Sequence, residues 1–166
     1  QELAEEWSIP ASVSSDSASV AVGKGSVDSA ITVATAASAK TLSLTTGVDS
    51  LNGSSGDDTF NGVIQGAGAL GTTASAGDVI TGGEGTDTLN ISVAGNAVHT
   101  LQAVQTNGVE NVLVTNFDLN AGDTTIDTSL MNGVSKIGLF SSNATGHTVF
   151  SGMSAITDAQ MGNGSS

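Results

Sequence analysis

Apolar residues along this chain recur in short alternating runs. The segments 19–23 (SVAVG), 30–35 (AITVAT) and 40–46 (KTLSLTT) place an apolar side chain at roughly every second position, which is the period of a half-buried strand. Leu42 and Leu44 fall on one face of the last run. Further along, one large apolar residue follows each of four Gly/Asp-rich turns: Leu51, Phe60, Ile80 and Leu89. Beyond Asn90 a longer period takes over. Residues 107–114 (NGVENVLV) superpose on 132–139 (NGVSKIGL) at an interval of 25, with Val109 over Val134, Val112 over Ile137 and Val114 over Leu139. Such an interval is one coil of a β-helix. The expected interior positions there are Ile91, Val93, Leu101, Val104, Ile126, Leu130, Phe140 and Val149. Residues 1–9 (QELAEEWSI) depart from this pattern: Leu3 and Trp7 stand four apart before Pro10, as in a short helix with Trp7 as a packing anchor.

The pattern predicts an all-β chain, a parallel β-roll or β-helix solenoid. An N-terminal segment spans 1–40, a roll 41–90 and coils of about 25 residues 91–166. The Ala/Ser/Thr/Val-rich stretch from Ser12 to Ala39 reads equally as strands or as a flexible linker.

The turns of the roll carry the chemistry. Residues 53–61 (GSSGDDTFN) and 82–90 (GGEGTDTLN) both follow G-G-x-G-x-D-x-U-x, where U is a large apolar residue, and the first departs only at Ser54. Partial copies upstream keep the aspartates nine apart, Asp49 before Asp58 and Asp78 before Asp87. In the calcium-binding form of this nonapeptide the glycines permit turns whose carbonyls face inward, the aspartate adds a carboxylate, and the apolar residue enters the core. Calcium takes six to eight oxygens, so it needs two stacked turns. Asp49 to Asp78 and Asp58 to Asp87 both span 29 residues, which is 11 more than two nonapeptides. The surplus is assigned to a Gly-rich insertion over 62–72. The expected ligands are Asp49 with Asp78 and Asp58 with Asp87, main-chain oxygens of Gly53, Ser55, Gly82 and Glu84, and the side chains of Asp57 and Glu84. The competing reading makes these turns ordinary Gly/Asp connections between strands. Asn120–Asp123 resembles the calcium turns but has no partner at the right interval, and Asp118 and Asp127 flank it.

Composition narrows the function. The 166 residues include 22 glycines, 3% aromatic residues and no cysteine, which suits thin stacked coils and excludes disulfides. Net charge is −13, with Lys24, Lys40 and Lys136 the only cations. That argues against nucleic acid, anionic membranes and acidic polysaccharides as partners and favours divalent cations, with folding coupled to their binding. Two to four calcium ions would bring the charge to about −9 to −5. There is no apolar run long enough to cross a bilayer, and residue 1 reads as a point inside a longer chain or a processed end. His99 and His147 stand alone, and no nucleophile elbow occurs, so no enzyme activity is expected.

The succession LSLTTGVDSLNGSSGDDTFNG, AGDVITGGEGTDTLN and NGVENVLVT resembles RTX-type surface-layer proteins of Gram-negative bacteria, and more widely the RTX repeat family. The resemblance covers roughly 41–116. It implies type I secretion, calcium-dependent folding outside the cell and assembly into a lattice of like subunits. Contact with lipopolysaccharide would come through a domain this sequence does not contain. Two alternatives remain at this stage: a calcium-binding RTX module of a secreted adhesin, toxin or hydrolase, and, more weakly, a β-helical enzyme acting on polysaccharide.

Overall fold

The computed structural model describes residues 38–65, 71–101, 104–142, 144–153 and 156–161. The N-terminal helix and the strands expected at 19–23 and 30–35 lie outside them. Every regular element among the described residues is a strand. In chain order these are β1 (Thr41–Ser43), β2 (Ser50–Asn52), β3 (Thr59–Gln65), β4 (Val79–Thr81), β5 (Thr88–Gly95), β6 (His99–Leu101), β7 (Gln105–Asn107), β8 (Asn111–Asp118), β9 (Thr124–Asp127), β10 (Met131–Asn132), β11 (Lys136–Ser142), β12 (Thr148–Ser151) and β13 (Asp158–Met161).

All pairings between these strands are parallel. They form three sides of a solenoid: β1-β3-β5-β8-β11-β13, β2-β4-β7-β10 and β6-β9-β12. Up to β5 the chain alternates between the first two sides, as a roll does. From β5 onward it visits the third side before the second, and the coil becomes three-sided. The third side belongs to the coils after Asp87, while the 29-residue coil from Asp58 to Asp87 has only β4 between β3 and β5 among its described residues. The lowest coil advances 18 residues, from Lys40 to Asp58, room for two three-residue strands and their turns. The coils after Asp87 advance 23 and 25 residues, and the additional chain supplies a further strand of three or four residues.

Stacking the coils aligns like residues. Leu42, Phe60, Leu89, Val112 and Ile137 are register partners on the first side, and the last four are buried at 2% exposure or less. Leu51, Ile80, Thr106 and Met131 align on the second side. Each fully buried Leu, Ile, Val or Phe contributes roughly 1.5–3 kcal/mol relative to exposure, so a thin core of aligned side chains suffices without aromatic bulk.

The expected interior is met at Ile91, Val93, Leu101, Val104 and Ile126, all buried. Three expectations are corrected. Leu130 is 43% exposed because its neighbour Met131 pairs with buried Thr106 and takes the interior place. Val149 is 39% exposed while its neighbour Phe150 aligns with buried Ile126. Phe140 is the extra residue of a β-bulge between Leu139 and Ser141, and at 48% exposure it lies over the outer face of Gly138. The segment expected as an insertion also begins later than position 62. Gly62–Gln65 continue β3 against β5, Ile64 is buried, and the returning Thr73 and Ala74 N–H groups both donate to the Val63 carbonyl.

Candidate metal centre

The residue preceding each strand of the first side forms one column up the solenoid: Lys40, Asp58, Asp87, Glu110, Ser135 and Thr157. Three of its rungs are made by side chains reaching down one coil. The Lys40 N–H donates to Asp58 Oδ1, the Asp58 N–H to Asp87 Oδ1 at 2.7 Å, and the Asp87 N–H to Glu110 Oε2 at 2.8 Å. A second column precedes the strands of the second side. There the Asp49 N–H donates to Asp78 Oδ1 at 2.9 Å, and buried Val104 stands in the next coil where an acid would continue the series. Both expected pairs, Asp49 with Asp78 and Asp58 with Asp87, are thus vertical neighbours. The 29-residue interval is what puts them there.

The four aspartates differ in how their oxygens are satisfied. Asp49 takes the Thr45 N–H and hydroxyl, and Asp78 takes the N–H groups of Asp49 and Ser75, so every oxygen of that pair has a donor nearby. Asp58 takes the Ser54 N–H on one oxygen and the Lys40 N–H on the other, with the Ser54 hydroxyl 3.0 Å from Oδ1. Asp87 is fully buried, its Oδ1 holds the Asp58 N–H, and its Oδ2 has no hydrogen-bond partner. The register explains this contrast. Ser54, the single departure from the nonapeptide, supplies the donors to Asp58; the matching residue beside Asp87 is Gly83, which has no hydroxyl and turns at φ +121°.

The glycines line the same space. A Cβ on Gly82 would strike both Asp87 Oδ2 and the Gly108 carbonyl oxygen, and one on Gly53 would strike Asp58 Oδ2 and the Gly82 carbonyl oxygen. Carboxylate and carbonyl oxygens therefore converge on each of these glycines, with a hydrogen-bond donor at the lower one only. Electrostatics follow the same division. Burial pushes the Asp58 carboxyl up, but the hydrogen bonds from Lys40 and Ser54 and the Lys40 charge outweigh it and hold the pKa below the usual carboxylate value. For Asp87, burial outweighs the one hydrogen bond from Asp58, and the negative charges of Asp58, Glu110 and Asp57 add to it, so its pKa is raised. A buried carboxylate with a free oxygen among like charges is the environment a divalent cation relieves. The donors are all oxygens, which suits a hard cation such as calcium.

No family model, curated protein or solved structure matches the chain.

Among the remaining expected ligands, Asp57 is exposed and its Oδ1 accepts the Thr86 N–H of the coil above at 2.7 Å. Glu84 is exposed, and its N–H donates to the Ser54 carbonyl. Ser55 and Gly53 are half-buried in the lower turn, and Gly82 is buried in the upper one. Among the described residues no three acidic or histidine side chains close on one point. Any ion here would thus draw on main-chain oxygens. Away from the columns, Asp118 is buried and its Oδ1 lies 3.1 Å from the Asn120 N–H, while Asp123 pairs with His147 Nδ1 at 3.0 Å. Lys40 and Glu110 were not anticipated as members of the acidic column. Glu110 lies 23 residues after Asp87 rather than 29, so its place is legible only once coil lengths are known.

Proposed function

We propose that this chain is a structural β-solenoid of the bacterial cell surface, clamped by calcium between stacked acidic turns and assembling with copies of itself into a lattice or fibre. The observation that supports the reading is the buried, unpartnered Asp87 Oδ2 facing a main-chain carbonyl oxygen within a column of like charges. A divalent ion there neutralises the column and ties successive coils together, so rigidity depends on the millimolar calcium of the exterior. The net charge of −13 keeps separate copies apart until ions reduce it. The resemblance to RTX-type surface-layer proteins adds calcium-dependent folding after secretion and lateral assembly.

The test is calcium titration of purified protein against a magnesium control. Circular dichroism and thermal melts should show a gain of stability around ~10⁻⁴ to 10⁻³ M calcium. Electron microscopy of the same samples should show sheets or filaments. A melting temperature indifferent to calcium would refute the clamp, and dispersed particles at saturating calcium would refute the lattice.

A further inference from the structure

We propose that the acidic column holds a divalent cation one storey beyond the glycine-rich repeats, between the Gly82–Asp87 turn and the Asn107–Glu110 turn. Asp87 Oδ2, the Gly108 carbonyl and the Glu110 carboxylate are its protein oxygens, and Lys40 closes the opposite end of the column as a tethered cation. The proposal rests on the calcium reading above and deepens it, because the upper turn (NGVE) is no nonapeptide and does not figure among the expected ligands.

Three observations converge on that storey. Asp87 Oδ2 is buried without a partner. The Gly108 carbonyl oxygen enters the same small space, the one a Gly82 side chain would fill, so two oxygens meet with no proton between them. The Glu110 carboxylate reaches down onto the Asp87 main chain, its Oε2 2.8 Å from that N–H, which brings a second carboxylate to the turn that carries Asp87. Calcium completes six to eight oxygens with main-chain groups and water, and tolerates the irregular geometry that magnesium does not.

The lower end is arranged differently. The Gly53 carbonyl, the counterpart of Gly82 and Gly108 one level down, accepts the Lys40 ammonium at 2.6 Å, and the Asn52 carbonyl lies 3.3 Å from the same nitrogen. Asp58 in the storey above it already has Ser54 and Lys40 as donors. The protein thus supplies its own positive charge where the column starts. One level above the last repeat, among the described residues, it supplies none.

Calorimetry with calcium on the full chain, with amide chemical shifts followed by NMR, tests this with three variants. Glu110→Gln keeps an acceptor for the Asp87 N–H but removes a charge, and should weaken calcium binding on the order of tenfold or more. Lys40→Met should bind at least as tightly as the parent. Asp58→Asn should weaken binding less than Glu110→Gln does, because both Asp58 oxygens already have donors. In the parent protein the amides of Gly108, Glu110 and Asn111 should shift on calcium addition more than those of Ser54–Gly56, a readout that needs no variant to fold. Calcium binding that survives Glu110→Gln but is lost in Asp58→Asn would overturn the proposal and leave the wider calcium reading intact, as would shifts confined to Ser54–Gly56. Weaker binding by Lys40→Met would overturn the role given to Lys40. A parent protein that binds no calcium would instead remove the reading on which the proposal rests.

Discussion

Replacing Asp87 by asparagine separates the two states of the column. Asp87→Asn retains an oxygen for the Asp58 N–H and puts an amide NH₂ where the unpartnered Oδ2 stands, beside the Gly108 carbonyl. Without calcium the substitution removes a buried unsatisfied acceptor, worth about 1–3 kcal/mol, and adds an amide–carbonyl hydrogen bond worth about 1 kcal/mol. A gain of roughly 2–4 kcal/mol corresponds to a melting temperature about 6–15 °C higher in a domain of this size. With calcium the order reverses. The parent gains about 2.7 kcal/mol at a hundred times its Kd, while the variant has lost a charged ligand and gains little from this site. Differential scanning calorimetry in chelator and in calcium reads both. A variant less stable than the parent in chelator, or one that keeps the parent's calcium shift, would refute the reasoning. The pH dependence carries the same sign. In chelator the raised pKa of Asp87 means that its contribution is fully present below the ordinary value of 3.8 and is lost as pH rises through the folded value. Asp87→Asn should remove that loss.

Ser54→Gly restores the nonapeptide's second glycine and strips Asp58 of its hydroxyl neighbour; it should raise calcium affinity or stoichiometry while lowering stability in chelator by about 1 kcal/mol, read by calorimetry. Gly82→Ala drives a methyl into the Gly108 carbonyl and Asp87, backbone and buried groups that cannot yield, and should cost about 1–3 kcal/mol or more in urea unfolding. Gly71→Ala, which meets only the end of the Gln65 side chain, should be close to neutral in the same assay. Asp123 is held below the usual carboxylate value by hydrogen bonds from the His147 ring and N–H, so its contribution is present above 3.8 and lost as pH falls through the folded value. Because the pair is exposed, Asp123→Asn should move the melting temperature at pH 7 by no more than about 2 °C and flatten only the acid limb of the profile.

Two-residue alternation, equal 29-residue intervals between aspartates and a 25-residue repeat were enough by themselves to determine a parallel solenoid and the stacking of Asp49 under Asp78 and Asp58 under Asp87. Strand period and coil length are local properties that the order of residues states directly. Leu130 against Met131 shows where that legibility ended: adjacent apolar residues fit two registers, and pairing with Thr106 selects one. Phe140 faces outward with Gly138 because it follows Leu139, which pairs with buried Val114, and the third side belongs to coils that carry no nonapeptide motif. Only the tertiary structure decided which acid lacks a partner. Each of Asp58 and Asp87 takes one N–H from the coil below, but only Asp58 is met by a second donor, Ser54 of its own turn, and how that turn closes on the carboxylate is set by the folded backbone. The same stacking set Lys40 below Asp58 and Glu110 above Asp87, at intervals of 18 and 23 residues that no single repeat length predicts.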